Sequence, residues 1–340
     1  MRAAERGALS SEIGLKKGRK DMCEAMRKIS FVIPCYGSEH TIRHVVEGIR
    51  ETVREQDEYE IILVNDCSPD HVWEKIQELC REDEKIKGIC LSRNFGQHAA
   101  LLAGYRQCSG ELIVSLDDDG QTPVEEAYRL IDEAASGTDV AMAFYPNKMH
   151  NKFRNIGSRI NQIMAVQMVG MPKDIINTSY FCMHRFVLEE MLRYENAYPY
   201  IPGLICRATK NIKNVAIDHR EREYGHSGYT IGKLLGLWFN GFTAFSIKPL
   251  RVATIVGCLC ALAGFIFGFV TIIRKLVDPN MVLGWSSLVS LIVFIGGMIM
   301  LMLGLIGEYI GRIYICINNS PQYVIREKIN VRERENKDDR

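Results

Sequence analysis

The sequence lacks the signatures of several common enzyme classes. No GxGxxG pattern follows a strand-like segment, as a dinucleotide-binding dehydrogenase would require, and no GxxxxGK[ST] pattern indicates a P-loop nucleoside triphosphatase. The 11 cysteines form no CxxC pair and no Cys/His cluster at zinc spacing, which indicates reduced, structural thiols in a cytosolic setting. Net charge is nearly absent as well. The 42 Lys and Arg against 41 Asp and Glu leave +1, so the overall charge does not suggest a nucleic-acid partner.

Charge is missing altogether from two long runs near the C-terminal end. Residues 252–273 and 279–307 contain no Asp, Glu, Lys or Arg. Each run is long enough to supply the roughly 20 apolar residues of a membrane-spanning helix. Because the linker is short, we predict a transmembrane hairpin at 252–311, with spans at 252–273 and 286–307 and both flanks on one side. The preceding segment, 231–251, is predicted to be an interfacial amphipathic helix; an ordinary core helix is the alternative.

Composition divides the remaining chain into three parts. Residues 1–27 are polar, basic and without periodicity, and we predict a disordered extension there. Between residues 28 and 230, β-rich runs alternate with segments of helical spacing, which predicts an α/β fold with a doubly wound, mostly parallel sheet. Residues 312–340 are polar and are predicted to form a cytoplasmic tail. Since no signal peptide precedes the α/β part, we expect that part at the cytoplasmic face of the plasma membrane.

Three consecutive carboxylates, Asp117, Asp118 and Asp119, follow an apolar strand-like run. Adjacent acids repel one another, so a fold that places them at a strand end needs a cation there. Asp117 and Asp119 point to the same side of an extended chain, and Gln121 adds an oxygen on that side. Such oxygen ligands suit Mg²⁺ or Mn²⁺, which leave positions open for substrate phosphate oxygens. We therefore predict a metal site, with a solvated acidic turn as the alternative.

The other predicted strands also end in polar or aromatic residues. Tyr36 and Glu39 follow the first strand, Asp66 follows the second, and Arg93 follows the third. In parallel sheets, ligands bind at the carboxyl ends of the strands. Together with the missing dinucleotide and P-loop patterns, this arrangement predicts a nucleoside diphosphate held through a metal at the acidic triplet.

A family resemblance depends on several short segments, none of which is specific alone. They are Ile33-Pro34-Cys35-Tyr36, Asp66, Ser92-Arg93-Asn94-Phe95-Gly96, the Asp-x-Asp-x-Gln motif at Asp117, the loop from Arg222 to Tyr229, and Gly307-Glu308-Tyr309-Ile310-Gly311-Arg312-Ile313-Tyr314. In this order, and with two terminal apolar runs, the chain resembles family 2 glycosyltransferases of the Rossmann-like GT-A fold. The similarity is to the polyprenyl-phosphate branch, related to dolichol-phosphate mannose synthase and the bacterial undecaprenyl-phosphate glycosyltransferases.

The resemblance implies a role for each group of site residues. The nucleotide-sugar donor would be bound by Pro34, Tyr36, Glu39, Asp66, Arg93, Asp117 and Asp118. The metal would be held by Asp117, Asp119 and Gln121. The catalytic group would comprise Asp117 and Asp119 together with Arg154, Arg159, Arg222 and Ser227, which would meet the acceptor phosphate and the departing diphosphate.

The chain departs from the family pattern at three places. Gly37 stands where an Asn is usual, and Gly228 stands where a basic residue often follows the loop serine. The Ser-Asp pair that is usual after the helix arginines is Thr178-Ser179 here. That change removes the obvious carboxylate base. A phosphate monoester, with a second pKa of about 6, needs no base near neutral pH, so the change favours a lipid phosphate as acceptor.

The expected function is that of a membrane-anchored, metal-dependent inverting glycosyltransferase. It would move a hexose from a nucleotide sugar, UDP-linked by preference, onto polyprenyl (undecaprenyl) phosphate for cell-envelope glycan modification. One alternative changes the acceptor to a sugar hydroxyl of a lipid-linked glycan or cell-wall polymer. Another is a non-catalytic, nucleotide-sugar-binding membrane subunit, against which the intact set of Asp117, Asp119 and Gln121 argues. Homo-oligomerisation is left open.

Overall fold

The computed structural model describes residues 26–120, 122–146, 166, 170–197, 199–217, 248–277, 284–318 and 321–331. The chain divides into two compact units, one formed by Met1–Gly228 with Pro321–Arg340 and the other by Tyr229–Ser320. In the first unit strands and helices alternate along the chain as far as residue 144. They are β1 (Lys28–Cys35), α1 (Ile42–Thr52), β2 (Glu58–Asn65), α2 (Val72–Glu82), β3 (Ile86–Leu91), α3 (Gln97–Tyr105), β4 (Leu112–Ser115), a 3₁₀ turn (Val124–Glu126), α4 (Ala127–Ala135), β5 (Val140–Phe144), β6 (Phe181–His184), α5 (Arg185–Leu192), α6 (Ile201–Ala208), β7 (Ile212–Ala216) and β8 (Ile325–Ile329).

The eight described strands form one sheet in the order β7-β5-β6-β4-β1-β2-β3-β8. Neighbours β1/β2, β1/β4, β2/β3 and β5/β7 are parallel, whereas β4/β6, β5/β6 and β3/β8 are antiparallel. The prediction of an α/β fold around a mostly parallel sheet is confirmed. The antiparallel pairs involve β6 and β8, two strands that the sequence patterns do not predict.

The core lies on both faces of the central strands. Alternate residues of β1, such as Ile29 and Phe31, are buried in a cluster with Ile42 and Ile49 of α1. This alternation is the two-residue period of a strand with both faces covered. On the other face α3 approaches the sheet closely. A side-chain Cβ added at Gly104 would lie 2.6 Å from Cγ1 of Val32, so this helix position has room for a glycine only.

The register of the central strands brings their carboxyl ends together. Cys35 at the end of β1 pairs with Asn65 at the end of β2, and Asn65 pairs in turn with Cys90 of β3. On the other side of β1, Val32 pairs with Ser115 at the end of β4. The loops that follow these four strands therefore begin at one edge of the sheet, where the polar residues were predicted to gather.

The segment predicted to be a polar tail contributes an ordered strand. β8 pairs antiparallel with β3, and the amide of Ser92 donates to the carbonyl of Val324 at 2.9 Å. Asn330 Nδ2 then donates to the carbonyls of Cys80 (2.7 Å) and Ile86 (2.9 Å). The side chains in the middle of β8 are exposed and charged, which suits an edge strand that must not pair further.

The second unit contains two long apolar helices, α7 (Lys248–Val277) and α8 (Trp285–Ile317). Large apolar side chains on both helices are exposed in the isolated chain, among them Phe265 (74%) and Met300 (76%). The segment Phe294–Ile315 is long and apolar enough to cross a membrane, and Ala253–Ile266 is a shorter apolar segment. The predicted disordered extension, up to residue 25, and the predicted interfacial helix, up to residue 247, lie outside the described residues.

Candidate active site

Backbone amides of the loop after β1 bind side chains from two other strand ends. Tyr36 N donates to Asp118 Oδ2 at 2.8 Å, and Gly37 N donates to Ser68 Oγ at 2.8 Å. Gly37 has a φ of +75°, a left-handed conformation that a residue with a side chain would adopt only with strain. The glycine that departs from the family pattern thus allows the chain to turn where these contacts form.

Asp118 joins the β1 loop to the β4 loop. Besides accepting from Tyr36, it offers its main-chain carbonyl to Thr41 Oγ1 at 2.6 Å. Burial raises the pKa of Asp118 to about 6, although the hydrogen bond from the Tyr36 amide opposes this rise. The carboxylate predicted to bind the donor therefore supports the loop that carries Tyr36.

Glu39 and Asp70 form a reciprocal pair between the β1 loop and the start of α2. Glu39 N donates to Asp70 Oδ2 at 3.0 Å, and His71 N donates to Glu39 Oε2 at 2.9 Å. Burial acts to raise the pKa of Asp70, but hydrogen bonds from Ser68 Oγ and from the Glu39 and Val72 amides leave it lowered overall. The Glu39 carboxylate is thus already engaged in holding the two loops together.

Asp66 is buried at the end of β2 and binds the loop after β3. Its Oδ1 accepts from Phe95 N at 2.7 Å, and its Oδ2 accepts from Gly96 N at 2.8 Å. Burial raises the pKa of Asp66, and the two amides offset part of that rise. Each carboxylate oxygen retains a second lone pair, so Asp66 can accept another hydrogen bond from a ligand.

Asp117 is held from two sides by neutral donors. Gln97 Nε2 donates to Oδ1 at 2.8 Å, and Ser179 Oγ donates to Oδ2. Burial raises the pKa of Asp117; the Ser179 and Gln97 hydrogen bonds oppose this rise, and the charge of Asp119 adds to it. The structure therefore brings together Asp117, Asp119 and the serine that replaces the family's usual acid.

Two features next to these carboxylates offer surface to a ligand. Tyr36 is 55% exposed beyond the end of β1, and the Arg93 guanidinium lies over the Phe95 ring, 4.7 Å from its centroid. Flat aromatic and guanidinium faces of this kind can stack on a nucleobase. Pro34, in contrast, is buried within β1 opposite Val64.

Five predicted site residues fall outside the part of the chain that the structure describes. They are Gln121, Arg154, Arg159, Arg222 and Ser227. Within the described residues, no group of three or more His, Cys, Asp or Glu side chains is arranged to hold a metal ion. The described part of the predicted metal site is the pair Asp117 and Asp119.

Gln97, Ser68 and Asp70 are not among the predicted site residues, although each contacts a predicted site residue or its loop. Gln97 could have been suspected because it follows a strand end and a glycine at the start of a helix. Ser179 was noted only as a departure, and its contact with Asp117 spans 62 residues. A sequence pattern contains no signal for a contact over that distance.

The chain belongs to glycosyl transferase family 2. The model of that family matches residues 30–192, and the model of the GtrB C-terminal hairpin matches residues 248–313. The protein is therefore a glycosyltransferase, and its apolar C-terminal helices fall within the part of the chain that the hairpin model matches. This finding confirms the family inferred from the short motifs.

Over most of its length the chain is similar to undecaprenyl-phosphate sugar transferases of this family. Undecaprenyl-phosphate 4-deoxy-4-formamido-L-arabinose transferase of Proteus mirabilis is 32% identical over 318 residues, covering 91% of this chain and 96% of that protein. The transferase of the same name from Yersinia enterocolitica is 33% identical over 318 residues, covering 92% and 97%. Among solved structures, glucosyl-3-phosphoglycerate synthase from Mycobacterium tuberculosis has a TM-score of 0.48 at 15% identity, over 64% of this chain and 76% of that chain.

Proposed function

We propose that the protein is a membrane-anchored, metal-dependent glycosyltransferase that moves a sugar from a nucleotide donor onto polyprenyl phosphate. The observation that carries the proposal is the convergence of Asp66, Asp117 and Asp119 at the carboxyl edge of the sheet, beside the exposed faces of Tyr36 and Arg93. This edge is where parallel sheets bind nucleotides. The relatives' names, which specify undecaprenyl phosphate, support the same acceptor class.

A divalent cation fits the described part of the acidic triplet. Asp117 and Asp119 are oxygen donors of the type that Mg²⁺ and Mn²⁺ prefer, and burial raises the pKa of both Asp117 and Asp118. Clustered carboxylates with raised pKa values are the setting in which a bound cation is most stabilising. A bound Mg²⁺ or Mn²⁺ would offset the negative charge that develops on the departing nucleoside diphosphate. Asp117 and Asp119 would hold it, with Gln121 as the third ligand from the sequence motif.

The hydroxyl groups near the triplet support a phosphate acceptor. Thr178 Oγ1 lies 3.1 Å from the Ala143 carbonyl and 3.0 Å from the Tyr180 carbonyl, while Ser179 Oγ donates to Asp117. Neither residue is a carboxylate that could take a proton from a sugar hydroxyl. An anionic phosphate oxygen can attack the anomeric carbon directly, and the bond from that carbon to the diphosphate breaks with inversion. Positioning of the phosphate remains the proposed task of Arg154, Arg159, Arg222 and Ser227.

A lipid acceptor also agrees with the apolar C-terminal unit. We propose that α7 and α8 both cross the membrane and that the sheet domain lies on its cytoplasmic side. The apolar side chains exposed along both helices would then face lipid, where they are stable. Polyprenyl phosphate carries its phosphate at the membrane surface, so an anchored domain would meet it there.

Transfer assays with the full-length protein test this function. The protein, purified in detergent, is supplied with undecaprenyl phosphate, Mn²⁺ or Mg²⁺, and a panel of labelled nucleotide sugars. We propose a UDP-hexose as donor, and the panel also includes a UDP-linked formamido-arabinose because the relatives' names specify that sugar. Label from one donor is expected to enter the lipid phase. Undecaprenol, which lacks the phosphate, is the matched control and is expected to yield no product.

Three results would contradict the proposal. Transfer to a soluble sugar or glycan with none to undecaprenyl phosphate would establish a hydroxyl acceptor instead. Nucleotide-sugar binding with neither transfer nor hydrolysis, for every donor in the panel, would indicate a non-catalytic subunit. Equal labelling of undecaprenol and undecaprenyl phosphate would refute the argument that an anionic acceptor replaces the missing base.

A further inference from the structure

The orientation of the Asp117 carboxylate is set by two side chains from separate parts of the chain. Gln97 Nε2 donates to one oxygen at 2.8 Å, and Ser179 Oγ donates to the other. Both donors are uncharged, so they direct the carboxylate without neutralising it. Each oxygen keeps a second lone pair for a ligand.

Gln97 belongs to a segment that also holds Asp66. The amides of Phe95 and Gly96 bind the two oxygens of Asp66, and the next residue reaches Asp117 with its side chain. Gly96 permits this arrangement because its φ of +89° and ψ of 157° are strained for any residue with a Cβ. Residues 95–97 therefore connect the end of β2 to the end of β4.

The start of α3 packs against a neighbouring helix segment through His98. His98 packs edge-on against Tyr200, with ring centroids 5.2 Å apart, and burial lowers the pKa of His98 to about 4 so that the ring is neutral. Further along the helix, Gly104 lies directly against the sheet. These contacts fix the backbone of α3, from whose first residue Gln97 reaches Asp117.

Ser179 is fixed in the same way by the residues on either side of it. The Thr178 hydroxyl lies within hydrogen-bond distance of the main-chain carbonyls of Ala143 and Tyr180. Tyr180 is fully buried, and its hydroxyl donates to the carbonyl of Pro123 at 3.3 Å. The backbone at 178–180 is thus tied to β5 and to Pro123, which follows the acidic triplet, and Ser179 Oγ reaches Asp117 from this segment.

We infer that Gln97 and Ser179 are positioning residues that hold the Asp117 carboxylate in the orientation needed for metal-dependent binding of the donor's diphosphate. The inference rests on the proposed function. A carboxylate already held in one orientation loses less side-chain entropy when it meets a ligand. Groups that hydrogen-bond to metal-binding side chains typically contribute about 10- to 100-fold to metal affinity. Ser179 thereby has a role that does not involve taking a proton from the acceptor.

The test measures UDP binding by calorimetry on the full-length protein, with Mn²⁺ and in chelator. Gln97→Met keeps the bulk of the side chain and removes the donor, and Ser179→Ala removes the hydroxyl. Each is expected to weaken Mn²⁺-dependent UDP binding by about tenfold, with a change below about twofold in chelator. Ser179→Thr keeps a hydroxyl and should bind within about threefold of the original protein. Gln107→Met, two residues beyond the end of α3, is the matched control and should bind normally.

Asp117→Ala tests whether the two residues act through that carboxylate. The double variant Gln97→Met with Ser179→Ala should bind no more weakly than Asp117→Ala, and adding Gln97→Met to Asp117→Ala should change nothing further. Equal weakening with and without Mn²⁺, or no weakening, would overturn the inference. So would a Thr variant as weak as the Ala variant.

Binding and transfer separate this inference from the proposed function. If Mn²⁺-dependent binding responds as expected but no sugar reaches undecaprenyl phosphate, the positioning role stands and the proposed function fails. If transfer occurs while the variants bind normally, the function stands and the positioning role fails. A protein that shows no Mn²⁺-dependent UDP binding would overturn both.

Discussion

Three adjacent aspartates serve different structural purposes. Asp117 is held by Gln97 and Ser179, and Asp118 binds the backbone amide of Tyr36. Asp119 is partly exposed. Substitutions within the triplet should therefore have distinct consequences.

Asp119→Ala is expected to lower the rate of sugar transfer by at least about 1,000-fold. Removing a ligand of the proposed cation leaves the negative charge on the diphosphate uncompensated. The protein should still fold, since the change relieves repulsion from Asp117. Transfer is measured beside thermal melting, and excess chelator should reproduce the loss in the original protein. Activity within a few-fold of the original, in the variant or in chelator, would contradict the metal assignment.

Asp118→Asn is expected to raise the melting temperature near pH 7.5 by a few degrees. Burial raises the pKa of Asp118 to about 6, above its ordinary value of 3.8. The folded state therefore binds this proton more tightly than the unfolded state does. Ionising Asp118 lowers the free energy of unfolding, and this cost is fully present above pH 6 and absent below about pH 4. The stabilisation should accordingly disappear as the pH falls through that window. Asn can still accept from the Tyr36 amide.

The measurement is a melting curve in chelator at several pH values. Asp132→Asn is a control that is expected to change the melting temperature in the opposite direction. Asp132 forms ion pairs with Arg27 and Arg54, and losing these pairs should lower the melting temperature. A pH-independent effect of Asp118→Asn, or destabilisation at pH 7.5, would contradict this prediction. Either result would show that contacts in the fold offset the cost of burying the ionised carboxylate.

At the scale of elements, the segment after α8 stabilises the sheet domain. β8 covers the edge of β3, and buried Gln322 donates to the carbonyls of Tyr194 (2.8 Å) and Asn196 (2.9 Å). Without β8 the outer edge of β3 would present unpaired backbone groups, which invite association with other chains. The C-terminal segment is thus part of the catalytic domain's fold.

Truncation after Ser320 is expected to lower the melting temperature of the sheet domain by at least about 5 °C or to cause aggregation, because a strand and several hydrogen bonds are lost. Truncation after Val331 removes only the last nine residues and keeps β8. It should melt as the full-length protein does. Equal melting of all three proteins would mean that β8 contributes nothing to stability.

At the scale of the whole molecule, the charge-free runs and the hairpin family match both place the C-terminal unit in a membrane. Two spans with a short connection would return the chain to the side where it started. The pairing of β8 with β3 agrees with this return, because a strand on the opposite side could not join the sheet. A single crossing would separate β8 from β3, and we propose two crossings on that ground together with the two apolar runs.

Reporter fusions test this topology in cells. A fusion after Asn280 should read as extracytoplasmic, and a fusion after Asp339 should read as cytoplasmic. The matched pair brackets the second helix, so identical readings at both positions would show that this helix does not span. A cytoplasmic reading at Asn280 with an extracytoplasmic reading at Asp339 would reverse the proposed orientation.

The sequence by itself determined those features whose physical cause is local. The strand and helix periodicities of the first half, the two charge-free runs and the acidic triplet after β4 all follow from neighbouring residues, and the structure confirms the α/β fold they predict. Their order along the chain was also enough to infer the glycosyltransferase family. Burial, helical spacing and charge repulsion act over a few residues, which is why a pattern reveals them.

Only the tertiary structure decided which residues meet. β6 has only four residues and lies between β4 and β5 in the sheet. The sequence of β8 is charged like that of a solvent-exposed tail, and it forms a strand because it pairs with β3. Ser179 meets Asp117 because β4 and β6 pair antiparallel with Ser115 opposite Phe181. Such contacts depend on strand register across tens of residues, and the gain in free energy that selects a register comes from the assembled core rather than from any local run.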